Sequence, residues 1–508
     1  MPDATPLLKL YAKWRLSRLD RQDSRDVQRR QLARLVKRAA GTRFGRDHGF
    51  GEIGGVEDFQ RRVPMRRYED FWQEYWKEAF PHIAGTTWPD AAPYFAKTSG
   101  TSSGTSKFIP VSRGTLDGNR RAVLDMMCFH LRAKPDSRVL AGKNFMLGGT
   151  TELERLAPGI RAGDMTGIAA REVPSWFRGF AYPRRSMALP PDWEQRMAVL
   201  GPRSMEQRIT AIAGTASWLL FFLQHLVAEQ PGGLTDCYPD LQLIAYGGVN
   251  FAPYRQQYEE LAAGSGVDLR EVYPASEGFL AVADRGIGEG LRLQLDSGMF
   301  YEFVPVEELE AAEPRRFWLG NVETGVNYAV VLNTAAGAWG YVLGDTVRFV
   351  ELDPPRILVT GRTSSSLSAF GEHLIEEEIV RAVTEAAESI GREVADFSVG
   401  PVFPSGEERR GHHLFVVEFA PGPPPAGDEQ VERFAQHLDR RLAELNDDYR
   451  DHRANDLQMK PPEVLVAPPG SFTEWMRGRG KLGGQNKVPR VIADPEMLES
   501  LRVSVAQR

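Results

Sequence analysis

Apolar residues recur at helical spacing in several stretches of the chain, and short apolar runs alternate with them. Residues 9–40 are rich in Arg, Leu and Gln, and Leu32, Leu35, Val36 and Ala39 fall on one helical face. That pattern predicts one exposed amphipathic helix with a solvated basic face, ended near Gly41. Shortly after Pro64, the aromatics Tyr68, Phe71, Trp72, Tyr75 and Trp76 repeat at helical intervals. They predict an inward-packed helix over 68–80. A further helix is predicted over 116–131. Residues 209–228 contain no Asp, Glu, Lys or Arg, and about twenty such residues is the length a bilayer requires. Thr210, Gly214, Thr215, Ser217, Gln224 and His225 interrupt the run, so it reads as one helix buried in a large core. Strand candidates at 145–147, 241–246 and 269–273 alternate with these helices and with one over 253–263. This alternation predicts an α/β core with a largely parallel sheet.

From 291 to 350 the pattern changes to successive short strands, at 299–304, 315–319, 328–332 and 347–350. A β-rich subdomain following the α/β region is the economical reading. Near Gly361 the character shifts again. A Ser-rich turn leads into a helix over 375–389, strands at 395–399 and 413–419, and a loop tip at 421–425. A helix over 430–445 and a strand at 463–466 complete a small α+β domain. The fold class is therefore α/β, with a large domain over 1–360 and a small one over 361–508. No internal repeat is evident.

Length and composition narrow the function classes. At 508 residues the chain exceeds what one hydrophobic core usually supports. Hydrophobic residues make up 42% and charged residues 26%, an ordinary globular balance. Net charge is −6, which argues against a pervasive nucleic-acid-binding surface. The two cysteines, Cys128 and Cys237, form no paired spacing, so neither a disulfide framework nor a Cys-based zinc site is expected. A reducing cytoplasm fits this usage, and no apolar leader follows Met1. No membrane span and no obligate protein partner are indicated. His412 and His413, after Arg409 and Arg410, read as a solvated turn before a strand.

The chemistry concentrates in three separated motifs. The first is Lys97-Thr98-Ser99-Gly100-Thr101-Ser102-Ser103-Gly104-Thr105-Ser106-Lys107, between two apolar runs. Gly100 and Gly104 can take positive φ, several backbone N–H groups can face one anion, and Lys107 adds a point charge. The loop reads as a phosphate cradle, with a plain Ser/Gly connection as the alternative. The second motif is Tyr273-Pro274-Ala275-Ser276-Glu277-Gly278, directly after a strand candidate. A carboxylate there sits where parallel sheets bind ligands, and Glu277 could hold Mg²⁺ while Tyr273 offers a flat surface to a base ring. The third is Tyr341-Val342-Leu343-Gly344-Asp345, followed by Gly361-Arg362. An aspartate behind a glycine turn can accept both ribose hydroxyls, and Arg362 can meet phosphate or carboxylate in bidentate geometry. The run Gly100-Thr101-Ser102-Ser103-Gly104 also fits the nucleophile elbow of α/β-hydrolases, with Ser102 as nucleophile. That reading needs a helix directly after Ser102, whereas Phe108-Ile109-Pro110-Val111 favours a strand.

In order and spacing, these motifs resemble the three nucleotide motifs of the plant auxin-responsive (Gretchen Hagen type) acyl-acid amido synthetases. Those enzymes belong to the adenylate-forming superfamily, with acyl-CoA synthetases and luciferase. The stretches 298–303, 445–450 and 485–490 extend the likeness over nearly the whole chain. The resemblance implies an ATP-dependent ligase. A carboxylic acid is adenylated to acyl-AMP with release of pyrophosphate, and an amino acid's amine then displaces AMP to form an amide. It implies ATP and Mg²⁺, with a small-molecule acid and an amino acid as the partners. By position, Ser99, Gly100, Thr101, Ser102, Ser103, Gly104, Thr105 and Lys107 would handle phosphates. Tyr273, Ala275, Ser276 and Glu277 would serve the nucleotide and magnesium, Asp345 the ribose, and Arg362 the hinge region. The small domain would rotate between half-reactions about residues 361–364. Lys487 or Lys481 would be the lysine that serves adenylation. Val342 replaces the arginine of the plant motif, and His373 stands where a lysine is expected. Arg120, Arg121, Arg171 and Arg178 are available to hold the acyl carboxylate. An acyl-CoA synthetase is the nearer competitor, and the Gly/Pro/Arg-rich makeup suggests a bacterial source.

Overall fold

A computed structural model describes residues 3–98, 107–148, 152–184, 187, 193–228, 230–248, 251, 254–363, 367, 372, 374–403, 410–421, 428–446, 449–450, 453, 459–482, 487–492 and 494–506. The chain divides into two compact units. The larger comprises Met1–Val249 and Glu259–Val359, the smaller Asn250–Tyr258 and Thr360–Arg508.

Among the described residues the main sheet has twelve strands. In spatial order they are Phe317–Trp318, Met299–Pro305, Asn327–Thr334, Tyr341–Leu352, Pro355–Arg362, Leu291–Leu293, Phe279–Val282, Asp268–Pro274, Leu243–Gly247, Ile209–Thr215, Lys143–Leu147 and Ala181–Tyr182. Two regimes meet at Asp268–Pro274. Toward one edge it pairs in parallel with Leu243–Gly247, and parallel pairing continues to Ala181–Tyr182. Toward the other it pairs antiparallel with Phe279–Val282, which pairs antiparallel with Leu291–Leu293. The β-rich stretch is thus hydrogen-bonded into the same sheet as the α/β region. A second, four-stranded sheet contains the hairpin Tyr94–Thr98 and Lys107–Val111, with Thr98 opposite Lys107.

Three expectations change here. Residues 209–228 are not one helix: Ile209–Thr215 is a strand and Ala216–Val227 a helix. The β-branched Ile209, Thr210, Ile212 and Thr215 favour the pleated conformation, and the charge-free run reflects a strand and a helix that are both packed inside. The N-terminal region is two helices, Thr5–Leu19 and Ser24–Ala39, because the Asp23 side chain caps the second by accepting the Asp26 N–H. Its basic residues are not all solvated. Arg15 is 3% exposed and bridges Asp125 and Asp296 at 2.7 and 2.8 Å. The aromatic stretch starts as a helix, Tyr68–Phe71, and continues as a π-helical turn, Trp72–Trp76. Its rings join a core with Phe44 and Trp339.

In the smaller unit, strands Val394–Val402 and His412–Phe419 pair antiparallel, and Glu463–Ala467 joins the latter in parallel. Alternation of side chains along His412–Phe419 serves two cores. Phe415, Val417 and Phe419 pack with helices Glu376–Ser389 and Asp428–Leu445. Leu414 and Val416 pack with Ser471–Gly478 and Pro495–Ala506. The solvated-turn reading of His412 and His413 is overturned: both open the strand, and His413 is buried with Nε2 2.8 Å from Glu372 Oε1. Among the described residues, no helix is long and apolar enough to cross a membrane.

Candidate functional site

The strand Asp268–Pro274 ends at the carboxyl edge of the parallel half, where open α/β sheets hold ligands. The chain reverses there through Ala275–Gly278. Ala275 N–H donates to Gly278 O (2.8 Å), and Gly278 N–H to Ala275 O (3.2 Å). A Cβ on Gly278 would come 2.8 Å from Met299 Sδ, so a larger residue there would have to displace that side chain. Glu277 sits in the turn and is 8% exposed.

The third motif is not a glycine turn. Gly344 and Asp345 lie within the strand Tyr341–Leu352, where the register against Asn327–Thr334 shifts between Val331↔Val342 and Ala329↔Thr346. Three residues of one strand, 343–345, oppose one of the other, Val330, a bulge that Gly344 accommodates at φ +90°. The Asp345 Oδ2 accepts the Tyr273 hydroxyl at 2.7 Å. The Tyr341 hydroxyl is hydrogen-bonded to Glu277. Tyr341 is 4% exposed; burial first, and then the Glu277 charge, pushes its phenol well above its ordinary value. It therefore remains a donor at any physiological pH.

Lys107 opens the strand that follows the first motif. Its ammonium lies 2.9 Å from Glu69 Oε1 and 5.1 Å from the centre of the Tyr68 ring. Burial raises the Glu69 carboxyl, but the hydrogen bond and charge of Lys107 outweigh it and leave the carboxyl below its ordinary value. The Phe108 N–H donates to the Tyr68 hydroxyl at 2.9 Å. Glu69 and Tyr68 also act electrostatically on Tyr341. The backbone fixes this neighbourhood: Arg66 N–H donates to Gly340 O (2.8 Å) and Val342 N–H to Arg66 O (2.9 Å). Tyr341 thus joins the motifs: it is hydrogen-bonded to Glu277 and lies within electrostatic reach of Glu69, the partner of Lys107.

Other expected site residues fare differently. Ser99, Gly100, Thr101, Ser102, Ser103, Gly104 and Thr105 lie outside the described residues, as does His373. The nucleophile elbow is disfavoured by the strand Lys107–Val111, which pairs antiparallel with Tyr94–Thr98 where that motif requires a helix. Tyr273 is 7% exposed, belongs to a hydrophobic cluster that includes Leu280 and Leu293, and contributes its hydroxyl to the contact with Asp345. Ala275 and Ser276 line the turn, half-buried. Arg362 ends the strand Pro355–Arg362 and is exposed, and Lys487 is exposed; both belong to the smaller unit. Gly361 holds φ +147°, and a Cβ there would come 2.5 Å from that of Glu376.

The four candidate arginines are engaged within the protein. Arg120 meets Asp117 and Glu172, each at 2.9 Å, and Arg121 donates to Asp296 O. Arg171 is hydrogen-bonded to Tyr94, and Arg178 donates to Val173 O. Sequence reasoning missed Tyr68, Glu69 and the bracing part of Tyr341. Tyr341 stood inside a motif read only for its aspartate, and the aromatic stretch carried no sign of a link to the loop.

Glu277 supplies one hard carboxylate. No group of three or more His, Cys, Asp or Glu suited to a metal occurs among the described residues. A single carboxylate suits Mg²⁺, which commonly takes one or two protein oxygens together with substrate phosphates.

Comparison with known proteins follows the same line. Models of the GH3 family N-terminal, central and C-terminal domains match residues 17–201, 293–362 and 377–496. A probable indole-3-acetic acid-amido synthetase, GH3.9, of Oryza sativa subsp. japonica is 29% identical over 248 residues, 45% of this chain. The match spans about half, 55%, of that relative's length. The structure of AtGH3.15 acyl acid amido synthetase in complex with 2,4-DB superposes with a TM-score of 0.81 at 20% identity, covering 97% of this chain and 96% of that one. A 2-hydroxyisobutyryl-CoA ligase in its postadenylation state superposes at 0.62 and 15% identity, over 96% and 92% of the two chains. At these identities the superpositions establish a shared fold.

Proposed function

The chain belongs to the GH3 family, and from that membership we propose that it is an ATP-dependent acyl-acid amido synthetase. The carrying observation is the pair of contacts that joins the second and third motifs, Tyr273 to Asp345 and Tyr341 to Glu277. They gather one carboxylate for ribose and one for the phosphate end of a nucleotide at the carboxyl edge of the parallel strands.

In the first half-reaction the substrate carboxylate oxygen attacks the α-phosphorus of ATP. The bond to the β-phosphate oxygen breaks and pyrophosphate leaves with that electron pair. In the second, an amino acid's amine attacks the acyl carbon, the bond to AMP breaks, and the amine loses a proton. No protein nucleophile is needed, so positioning and electrostatics supply the catalysis. Asp345 accepts ribose hydroxyls, and Lys107, held at the end of the first motif by Glu69, offers positive charge to phosphate oxygens. Glu277 would hold Mg²⁺, which neutralises phosphate charge when bound. By family resemblance, Arg362 and Lys487 serve adenylation, and Ser99 to Thr105 serve as the phosphate cradle. The two free, buried cysteines suit a reducing cytoplasm.

The test is a pyrophosphate-exchange screen over aryl acids, including indole-3-acetic acid, and fatty acids, repeated with amino acids and with CoA as acceptors. Acid-dependent exchange with amide product is expected. A thioester product with CoA alone would replace the amide reading by an acyl-CoA synthetase, and absence of exchange with every acid would overturn adenylation altogether.

A further inference from the structure

The two contacts that join the motifs are reciprocal. Tyr273 belongs to the second motif and donates to the carboxylate of the third, Asp345, at 2.7 Å. Tyr341 belongs to the third motif and is hydrogen-bonded to the carboxylate of the second, Glu277. Each motif therefore carries one carboxylate and one tyrosine, and each tyrosine holds the other motif's carboxylate. The arrangement is tight for structural reasons. Glu277 stands in a two-residue reversal closed by backbone hydrogen bonds, and Asp345 on a bulge that swings it out of the regular ladder. Neither backbone by itself fixes a side-chain rotamer. Both rings are anchored in apolar surroundings: Tyr273 belongs to a cluster that includes Leu280 and Leu293, and Tyr341 to one containing Phe71, whose ring centre lies 6.1 Å away. A rigid aromatic delivers its hydroxyl to one place with little entropy left to lose.

We propose that Tyr273 and Tyr341 form a cross-brace in which Tyr341 aims the Glu277 carboxylate for the divalent cation and Tyr273 aims the Asp345 carboxylate for the ribose. Both are positioning residues. This inference rests on the adenylation reading above and adds two separable assignments to it. Charge-assisted hydrogen bonds are stronger and shorter than neutral ones, so each hydroxyl can set the direction of its carboxylate without removing its charge. A carboxylate has two oxygens and about four acceptor positions, so a tyrosine on one side leaves acceptor capacity for a ligand. The brace also couples the sites through the strand that joins Tyr341 to Asp345 and the short segment that joins Tyr273 to Glu277.

The test uses Tyr341→Phe and Tyr273→Phe in the full chain, which keep the rings and remove only the hydroxyls. Pyrophosphate exchange is measured against Mg²⁺ concentration and with ATP or 2′-deoxy-ATP, alongside thermal melting. Tyr341→Phe is expected to raise the Mg²⁺ needed for half-maximal exchange about tenfold, while the rate at saturating Mg²⁺ stays within about twofold. It leaves the ATP to 2′-deoxy-ATP preference unchanged. Tyr273→Phe is expected to lower that preference about tenfold and to leave the Mg²⁺ response unchanged. A merely structural part would lower both properties together with the melting temperature. That outcome, or two variants indistinguishable from wild type, overturns the brace while leaving the proposed function standing. Binding of AMP and 2′-deoxy-AMP, titrated calorimetrically, supplies the ribose readout without turnover. A wild-type chain that neither exchanges pyrophosphate nor binds AMP overturns the proposed function, and the brace with it.

Discussion

The strand Asp268–Pro274 carries a polar network at each end, and the two ends put similar groups to opposite use. At its start, His130 Nδ1 donates to Asp268 Oδ2 at 2.7 Å, and His130 Nε2 lies 2.7 Å from the Ser137 hydroxyl. In outline this is a serine–histidine–aspartate relay. The Ser137 hydroxyl, however, donates to Gln242 Oε1 at 2.5 Å, and that oxygen also accepts the Arg138 N–H at 2.7 Å. The serine proton points at an amide oxygen and not at the imidazole that would have to take it. Arg270 Nε donates to the same Asp268 oxygen at 2.7 Å, and His130 and Arg270 are buried. Every member is turned toward the protein. At the other end, the hydroxyls of Tyr273 and Tyr341 are turned toward Asp345 and Glu277, at the strand edge where a ligand can arrive. A closed network fastens strands; the braced pair of carboxylates stands at the edge to which we assign the nucleotide.

The largest effect that follows belongs to the open end. Asp345→Ala should lower exchange by about a thousandfold or more, some 4 kcal/mol of transition-state stabilisation. Its melting temperature should stay near that of the wild type, because a half-buried side chain on a bulge carries little of the core. Exchange at the wild-type rate would remove the ribose assignment and with it the contrast between the ends.

At the closed end the loss should fall on stability and spare catalysis. Asp268→Asn leaves the Arg270 guanidinium and the His130 imidazole buried without their shared carboxylate, a change of the kind that costs about 3 kcal/mol. Urea denaturation reads this, and exchange per folded molecule should be unchanged. The pH dependence has a definite sign. Burial raises the Asp268 carboxyl, but hydrogen bonding from His130 and the charge of Arg270 outweigh it and hold it below its ordinary value. A depressed carboxyl stabilises the fold above the unfolded value of about 3.9, and that contribution disappears as pH falls below it. The wild type should therefore lose stability more steeply than Asp268→Asn on acidification below about pH 4. Parallel acid limbs would mean that the ion pair is not what fastens this end.

How much of this contrast the sequence made legible differs from element to element. The helix Arg113–Ala133 was legible as a long stretch of mixed apolar and polar residues, and the strands Leu243–Gly247 and Asp268–Pro274 as short runs bounded by glycine or proline. The run at 209–228 did not, because full burial erases the polar positions that separate a two-residue period from a 3.6-residue one. The break after Leu19 hinged on one side-chain cap, Asp23 to the Asp26 N–H, inside a stretch of continuous helical composition. At the site, Glu277 and Asp345 were legible because motifs name residue types in order. Tyr273 was legible only as a ring, since the direction of its hydroxyl depends on the register shift at Val342 to Thr346, which places Asp345, 72 residues away in sequence. The triad-like group at His130, Ser137 and Asp268 left no local signal, because its members meet only when the helix Arg113–Ala133 packs beside the sheet.

The smallest effect is also the one that could break the contrast most directly. Ser137→Ala removes a hydroxyl whose proton is already directed to Gln242 and whose oxygen faces His130. The Arg138 N–H continues to satisfy Gln242 Oε1, and the substitution leaves a cavity of one oxygen atom. The expected cost is about 1 kcal/mol, within the range for one buried hydrogen bond, with no change in exchange rate. A fluorophosphonate probe supplies the second readout, since it reacts only with a serine whose proton is taken by a base in a reachable pocket. No labelling of Ser137 is expected in the wild type, and no difference between wild type and Ser137→Ala. Labelling at Ser137 that the substitution abolishes would mean that the closed end is a second reactive centre, and that hydroxyl direction in this protein is a poor guide to which end does chemistry.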